Sequence, residues 1–232
     1  MTKRMMFVSV LVLAVVLTVV GSVSARSLEI GYEPEGLDEL EKIKKSVFST
    51  VLVHPDVDFS RYGKIHPRTV ALVIRDPSSV NQFSTGRLLV KREKESVIPE
   101  YEEVVEFKKI IGEVLAERIG KELDLELVDA AGPGTLTLQP VVTNVEISSS
   151  SKNTAEGGRE LPQLDEGVIV FDLMDGETGE ILARFAEERR NRPPKAERRS
   201  EGQWPNLVHW ADQVAGDLCE QLNRLRNGAS TS

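Results

Sequence analysis

Apolar and polar positions alternate most regularly between Gly167 and Glu188, GVIVFDLMDGETGEILARFAEE. Successive side chains of a strand point to opposite faces, so Ile169, Phe171 and Leu173 share one face, and Ile181, Ala183 and Phe185 resume the alternation. Asp175, Gly176, Glu177, Thr178 and Gly179 carry turn chemistry between them. The pattern predicts a hairpin. A hairpin alone is marginal in water, so other elements must cover it.

Upstream, residues 46–53 are short and β-prone and end at His54-Pro55. Asp58 to Lys64 is a polar segment anchored by Phe59 and Tyr62. Ile65 opens the next strand, clearest over Thr69 to Ile74, where a near-continuous apolar run predicts a central strand buried on both sides. Residues 77–99 form a long excursion with a mixed charge run from Lys91 to Glu95. Pro99-Glu100 then opens a helix with acidic groups in its first turn. Its stripe is Val104, Phe107, Ile111, Val114, Leu115 and Ile119, widened by Val105 and Ile110, with Gly120 at its end.

Leu125 to Val128 reads as a short strand, closed by a turn at Gly132-Pro133-Gly134. Thr135 to Ile147 is the longest strand signal, and Pro140 within it predicts a bulge or an edge position. Ser148 to about Glu166 reads as a polar loop joining two antiparallel strands. After the hairpin, Pro193-Pro194 forbids helix and central strand. Trp204 leads into a last helix with a stripe of Leu207, Ala211, Val214, Leu218, Leu222 and Leu225, closed by Arg224, Arg226 and Asn227-Gly228.

The order predicts an α+β domain over 46–226. It would hold one mostly antiparallel twisted sheet of about four to six strands, with two long amphipathic helices on one face. The other face is expected to be solvated or partly covered by 26–64. Aromatic residues are only 5% of the chain, so the core must be mainly Val, Ile and Leu.

The ends read differently. Lys3 and Arg4 precede a 14-residue apolar run, Phe7 to Val20, and Val23-Ser24-Ala25 supplies small residues. This is the pattern of a secretory signal peptide cleaved after Ala25. The run is shorter than the roughly 20 residues a spanning helix needs. Residues 26–45 are an acidic lead-in expected to be flexible, and 227–232 a disordered tail. The expected location is periplasmic or secreted, and the mature body is expected to be soluble.

Charge narrows the partners. The chain carries −8, and without Lys3 and Arg4 there are 27 basic against 37 acidic groups, a net of −10. That argues against nucleic acid as a general partner. Against this background Arg184 to Arg199 stands out, with seven basic and three acidic groups. Arg189, Arg190, Arg192, Arg198 and Arg199 are the candidate contacts for an anionic partner: an envelope protein, an acidic glycan or a lipid headgroup.

No catalytic, cofactor or metal set emerges. His54, His66 and His209 lack ligand-like spacing with Cys or carboxylates. Neither a nucleophile elbow, a P-loop nor a dinucleotide fingerprint occurs. Asp172 and Asp175 are two carboxylates near one hairpin, one on a polar face and one in a turn. Cys219, the single cysteine, lies in a helical apolar pattern and reads as a small buried residue.

Four stretches carry a resemblance: Asp58 to Lys64, Gly134-Thr135-Leu136-Thr137-Leu138, Asp175 to Ala183, and the aromatic-led helix from Trp210. Over roughly residues 50–226 the chain resembles the bacterial envelope family called domain of unknown function 3313, mostly lipoproteins. Here the lipidation cysteine is missing. The resemblance implies an envelope location and a fold but no activity. The first functional reading is therefore a non-enzymatic exported envelope protein acting by binding or assembly. The alternatives are a lipid or small-ligand carrier using an open sheet face, with a pocket against 77–99, and a hydrolase with titratable groups clustered in a cleft.

Overall fold

The computed structural model describes residues 36–44, 46–73, 101–151, 160–190, 204 and 207–228. The signal segment, most of the acidic lead-in, the 77–99 excursion, Pro193-Pro194 and the tail after Gly228 lie outside the described residues.

The strands are β1 (Glu41–Lys42), β2 (Thr50–Val53), β3 (Lys64–Pro67), β4 (Ala71–Val73), β5 (Glu126–Leu127), β6 (Thr135–Ser151), β7 (Glu160–Asp175) and β8 (Ile181–Arg190). The helices are α1 (Tyr101–Glu122) and α2 (Leu207–Arg226), with 3₁₀ turns at Leu37–Glu39 and Phe59–Arg61. All these strands join one sheet in the order β1-β2-β8-β7-β6-β3-β5, and β4 pairs with β6 off this path. The class is α+β.

The sheet is larger than the expected four to six strands, and it is mixed. β2, β8, β7 and β6 pair antiparallel in turn, whereas β3 and β4 run parallel to β6, and β3 parallel to β5. The cause is α1. A helix between two strands of one sheet returns the chain to the end from which it started, which makes the strands parallel.

One core unites both helices with one face of this sheet. Leu136, Leu138, Val142, Ile169, Phe171, Leu173, Ala183 and Phe185 lie in it, together with Phe107, Ile111, Leu115 and Ile119 of α1. The whole predicted stripe of α2 joins them. Phe48 packs edge-on to Phe171 at 6.0 Å and stacks on Phe185 at 5.6 Å. The helices lie side by side and run in the same direction. Trp204 Nε1 donates to the Glu103 carbonyl at one end (2.7 Å), and towards the other Arg118 pairs with Asp212 and Asn223 Nδ2 donates to the Glu122 carbonyl.

Several local expectations need correction. Ile181 does not continue the face of Ala183 and Phe185. A bulge between Leu173 and Met174 in the pairing sets Ile181 opposite Met174, and Leu182 enters the core instead. The apolar run at Thr69–Ile74 is not a central strand. β4 is three residues long, and Val73 is exposed. Val105 is exposed on α1, and Gly120 does not end that helix, which reaches Glu122. A Cβ at Gly120 would meet Leu127 Cδ1 at 3.2 Å, so the glycine lets β5 approach.

Pro140 makes neither the bulge nor an edge. β3 ends opposite Leu138 and β4 begins opposite Val141, so Pro140 faces the gap between them while pairing with Phe171 on its other side. The bulge comes later, between Thr143 and Ile147, where Asn144 adopts a φ of 50°. Asn is among the few residues that tolerate this conformation. Beyond it, both described ends of the predicted serine-rich loop are strand: β6 and β7 stay paired from Glu146 and Glu166 to Ser151 and Glu160, and residues 152–159 lie outside the described residues.

The helix-free face is not open where it is described. Val141, Val168, Val170 and Ala186 form a second buried cluster, beside buried Asp172 and Arg184. No described helix is long and apolar enough to cross a membrane.

Two glycines should respond oppositely to alanine. A Cβ on Gly176 would lie 2.7 Å from the Thr135 carbonyl and 2.8 Å from that of Gly132, both backbone atoms. Gly176→Ala is expected to cost about 1–3 kcal/mol. Gly112, inside α1 with open space at its Cβ, should gain about 0.5–1 kcal/mol as Ala. Urea unfolding of both variants measures the contrast, and equal midpoints would contradict it.

Candidate functional site

The basic stretch begins inside the protein. Arg184 sits on the helix-free face of β8 directly across from Asp172 of β7. Its Nε and Nη2 reach the two carboxylate oxygens at 2.6 and 2.9 Å, and both residues are 1% exposed. This bidentate geometry gives each oxygen of a buried carboxylate a charged donor. Arg184 therefore does not contribute to a surface patch. At the end of β8, Arg189 pairs with Asp217 of α2, and its carbonyl accepts from Trp210 Nε1. Arg190 pairs across the strands with Glu166 at 2.8 Å and remains well exposed. Arg192, Arg198 and Arg199 lie outside the described residues.

The structure separates the two hairpin carboxylates. Asp172 is occupied by Arg184. Asp175 holds the turn, where its Oδ1 accepts from the amides of Glu177 and Thr178. Its Oδ2 accepts from the Tyr62 hydroxyl at 2.7 Å and from Arg61 at 3.2 Å. Tyr62 is buried, so this knot binds the 3₁₀ turn before β3 to the β7–β8 turn. The Tyr62 hydrogen bond, ahead of the turn amides and Arg61, holds the Asp175 carboxyl below its usual range. Burial, reinforced by Asp175, pushes the Tyr62 hydroxyl up.

His54 has company that local spacing does not reveal. It follows β2, and its Nε2 lies 3.9 Å from both Glu39 Oε2 and Glu180 Oε1. Glu39 comes from the first 3₁₀ turn and Glu180 from the β7–β8 turn. The three donor atoms lie within 4.8 Å of one another. Positions 39, 54 and 180 form no motif, and only the β1–β2–β8 pairing brings them together. The other histidines play different parts. His66 Nδ1 lies 3.0 Å from the Val128 carbonyl, tying β3 to the chain after β5, and His209 is half-buried in α2. Cys219 is fully buried, which pushes its thiol up to about 12 and keeps it protonated and inert.

No family model matches the chain, and no curated protein does. Solved structures align with it only at low similarity. A PelC dodecamer from Paraburkholderia phytofirmans is 11% identical, with 75% of this chain and 96% of that one covered and a TM-score of 0.35. A PDZ domain protein from Parabacteroides distasonis ATCC 8503 is 11% identical over 84% of this chain and 37% of its own, with a TM-score of 0.35. A neuraminyllactose-binding hemagglutinin homolog from Helicobacter pylori is 11% identical over 73% and 92%, with a TM-score of 0.34.

Two consequences are measurable. Arg184→Met leaves a buried carboxylate alone and is expected to cost about 3–5 kcal/mol. Adding Asp172→Leu should recover most of the loss in urea unfolding, and a single variant within about 1 kcal/mol of the parent would refute the assignment. Asp175, depressed from its ordinary 3.8, contributes stability that is fully present above that pH and lost as pH falls through its folded value. Tyr62→Phe removes the largest cause of the depression. The loss of stability between about pH 5 and about pH 2 should therefore be shallower in the variant, and an unchanged slope would count against this role for Tyr62.

Proposed function

We propose that this protein is exported and acts in the cell envelope by binding or assembly rather than by catalysis. The observation that carries the reading is the leader: Lys3-Arg4, the apolar run Phe7 to Val20, and Val23-Ser24-Ala25. The resemblance of residues 50–226 to the domain of unknown function 3313 lipoproteins supports the same location. The chain differs in having no cysteine to lipidate after the leader, which leaves a membrane anchor of that kind in doubt.

The contact surface is the basic stretch after β8. Arg189, the first of these arginines, is tethered to Asp217 of α2. Arg190 stands exposed beside it. Arg192, Arg198 and Arg199 add positive charge to a chain that is otherwise strongly acidic. An anionic partner is favoured there and repelled from most of the remaining surface. Among anionic partners the reading favours lipid headgroups, because clustered Arg and Lys are attracted to an anionic lipid surface.

Co-sedimentation with vesicles tests this. The mature chain is expected to pellet with vesicles rich in anionic lipid and to be released by about 0.5 M salt, which screens exposed charges. It should remain in solution with neutral vesicles. Replacing Arg192, Arg198 and Arg199 by Ser should abolish pelleting and leave thermal unfolding unchanged, since Arg189 keeps its Asp217 partner. Equal pelleting of parent and variant, or none with either, would overturn the proposal. Export is checked separately, by finding Arg26 as the N-terminal residue of the mature chain.

A further inference from the structure

Glu39, His54 and Glu180 meet at the end of the sheet where β1, β2 and the β7–β8 turn come together. Two carboxylates converge there, and among the described residues neither pairs with a Lys or Arg. The imidazole between them is their one described neighbour able to carry positive charge.

Each donor is held by backbone. The His54 amide donates to the Leu182 carbonyl at 2.8 Å, which locks the end of β2 against the start of β8. Glu180 is set by its turn: its amide donates to Thr178 Oγ1 at 3.2 Å, and its carbonyl accepts from the Asp175 amide at 2.9 Å. Glu39 closes a 3₁₀ turn sealed by the Leu40 amide to the Leu37 carbonyl. His54 is 20% exposed at its side chain, whereas the glutamates are 71% and 51% exposed and free to swing inward.

We propose that Glu39, His54 and Glu180 form a divalent transition-metal site of the zinc type. One imidazole nitrogen with two carboxylate oxygens suits zinc better than magnesium or calcium, which prefer all-oxygen shells. Zinc holds such donors at about 2.0–2.2 Å. Carboxylate oxygens now 3.9 Å from Nε2 reach that shell by a small movement of exposed glutamate side chains. Ligation through Nε2 moves the ring proton to Nδ1 and gives up the 3.3 Å bond that Nδ1 accepts from the Asp56 amide. That bond is long and exposed, and two charged oxygens on the metal outweigh it. Three protein donors leave a fourth position for water. The metal clips the Leu37–Glu39 turn, which otherwise meets the sheet through the two residues of β1 and Ile43 beside them, to the β7–β8 turn.

Zinc titration of the full chain, freed of metal by chelator, tests the site. One equivalent of zinc is expected to bind and to raise the thermal midpoint. Cobalt in its place should give visible d–d bands. His54→Gln and Glu180→Gln should each weaken binding at least about tenfold and remove the midpoint shift, while keeping the parent's circular dichroism. His209→Gln, outside the cluster, should bind zinc as the parent does. Absence of saturable binding by the parent leaves His54 as a simple ion-pair partner and overturns the proposal. So does parental affinity in His54→Gln.

Discussion

The fold depends on burying one face of three long strands beneath two helices. β6, β7 and β8 present rows of buried side chains, such as Leu138–Leu173–Ala183 and Pro140–Phe171–Phe185, that meet the stripes of α1 and α2. Each large apolar side chain buried in this way contributes on the order of 1.5–3 kcal/mol before chain entropy is counted. Everything else is fitted to that contact. The short strands extend the sheet sideways, and the 3₁₀ turns and polar knots pin their ends.

Polar pairs act at the places where apolar burial cannot specify position. The Asp172–Arg184 pair fixes the register of β7 against β8, because a shift of one residue would bury either charge without its partner. Tyr62, Arg61 and Asp175 do the same at the hairpin turn, where few apolar groups are available. Arg118–Asp212 and Arg189–Asp217 set α2 against α1 and against β8 in the same way. The glutamates around His54 stand apart, since they meet at the surface and hold no arginine.

Alternation and helical spacing suffice to read the hairpin and the α2 stripe, because each is a local pattern answered by one face of one core. They fail at Ile181, because a bulge changes the count of residues without changing their composition. They fail at Pro140 because a gap in the neighbouring strand makes its missing donor harmless, and no feature of β6 reports that gap. The parallel pairing of β3 with β6 follows from the helix between them, a rule of chain connection rather than of residue type. Sequence shows the charge of Arg184 but not the facing Asp172, so it reads as part of a surface patch. The His54 cluster depends on three elements far apart in the chain, and no local window contains it.

The parallel seat of β3 and β4 beside β6 leaves a long span of chain, residues 74–134, between strands that touch. α1 lies within that span, and its position is already fixed by α2. Closing a loop costs entropy that grows only with the logarithm of its length, about 0.6 kcal/mol for each doubling. Lengthening or shortening a connection between anchored elements thus changes the cost of closure very little. β4 is held by β6 and α1 by α2, so a change of length between them leaves both contacts in place.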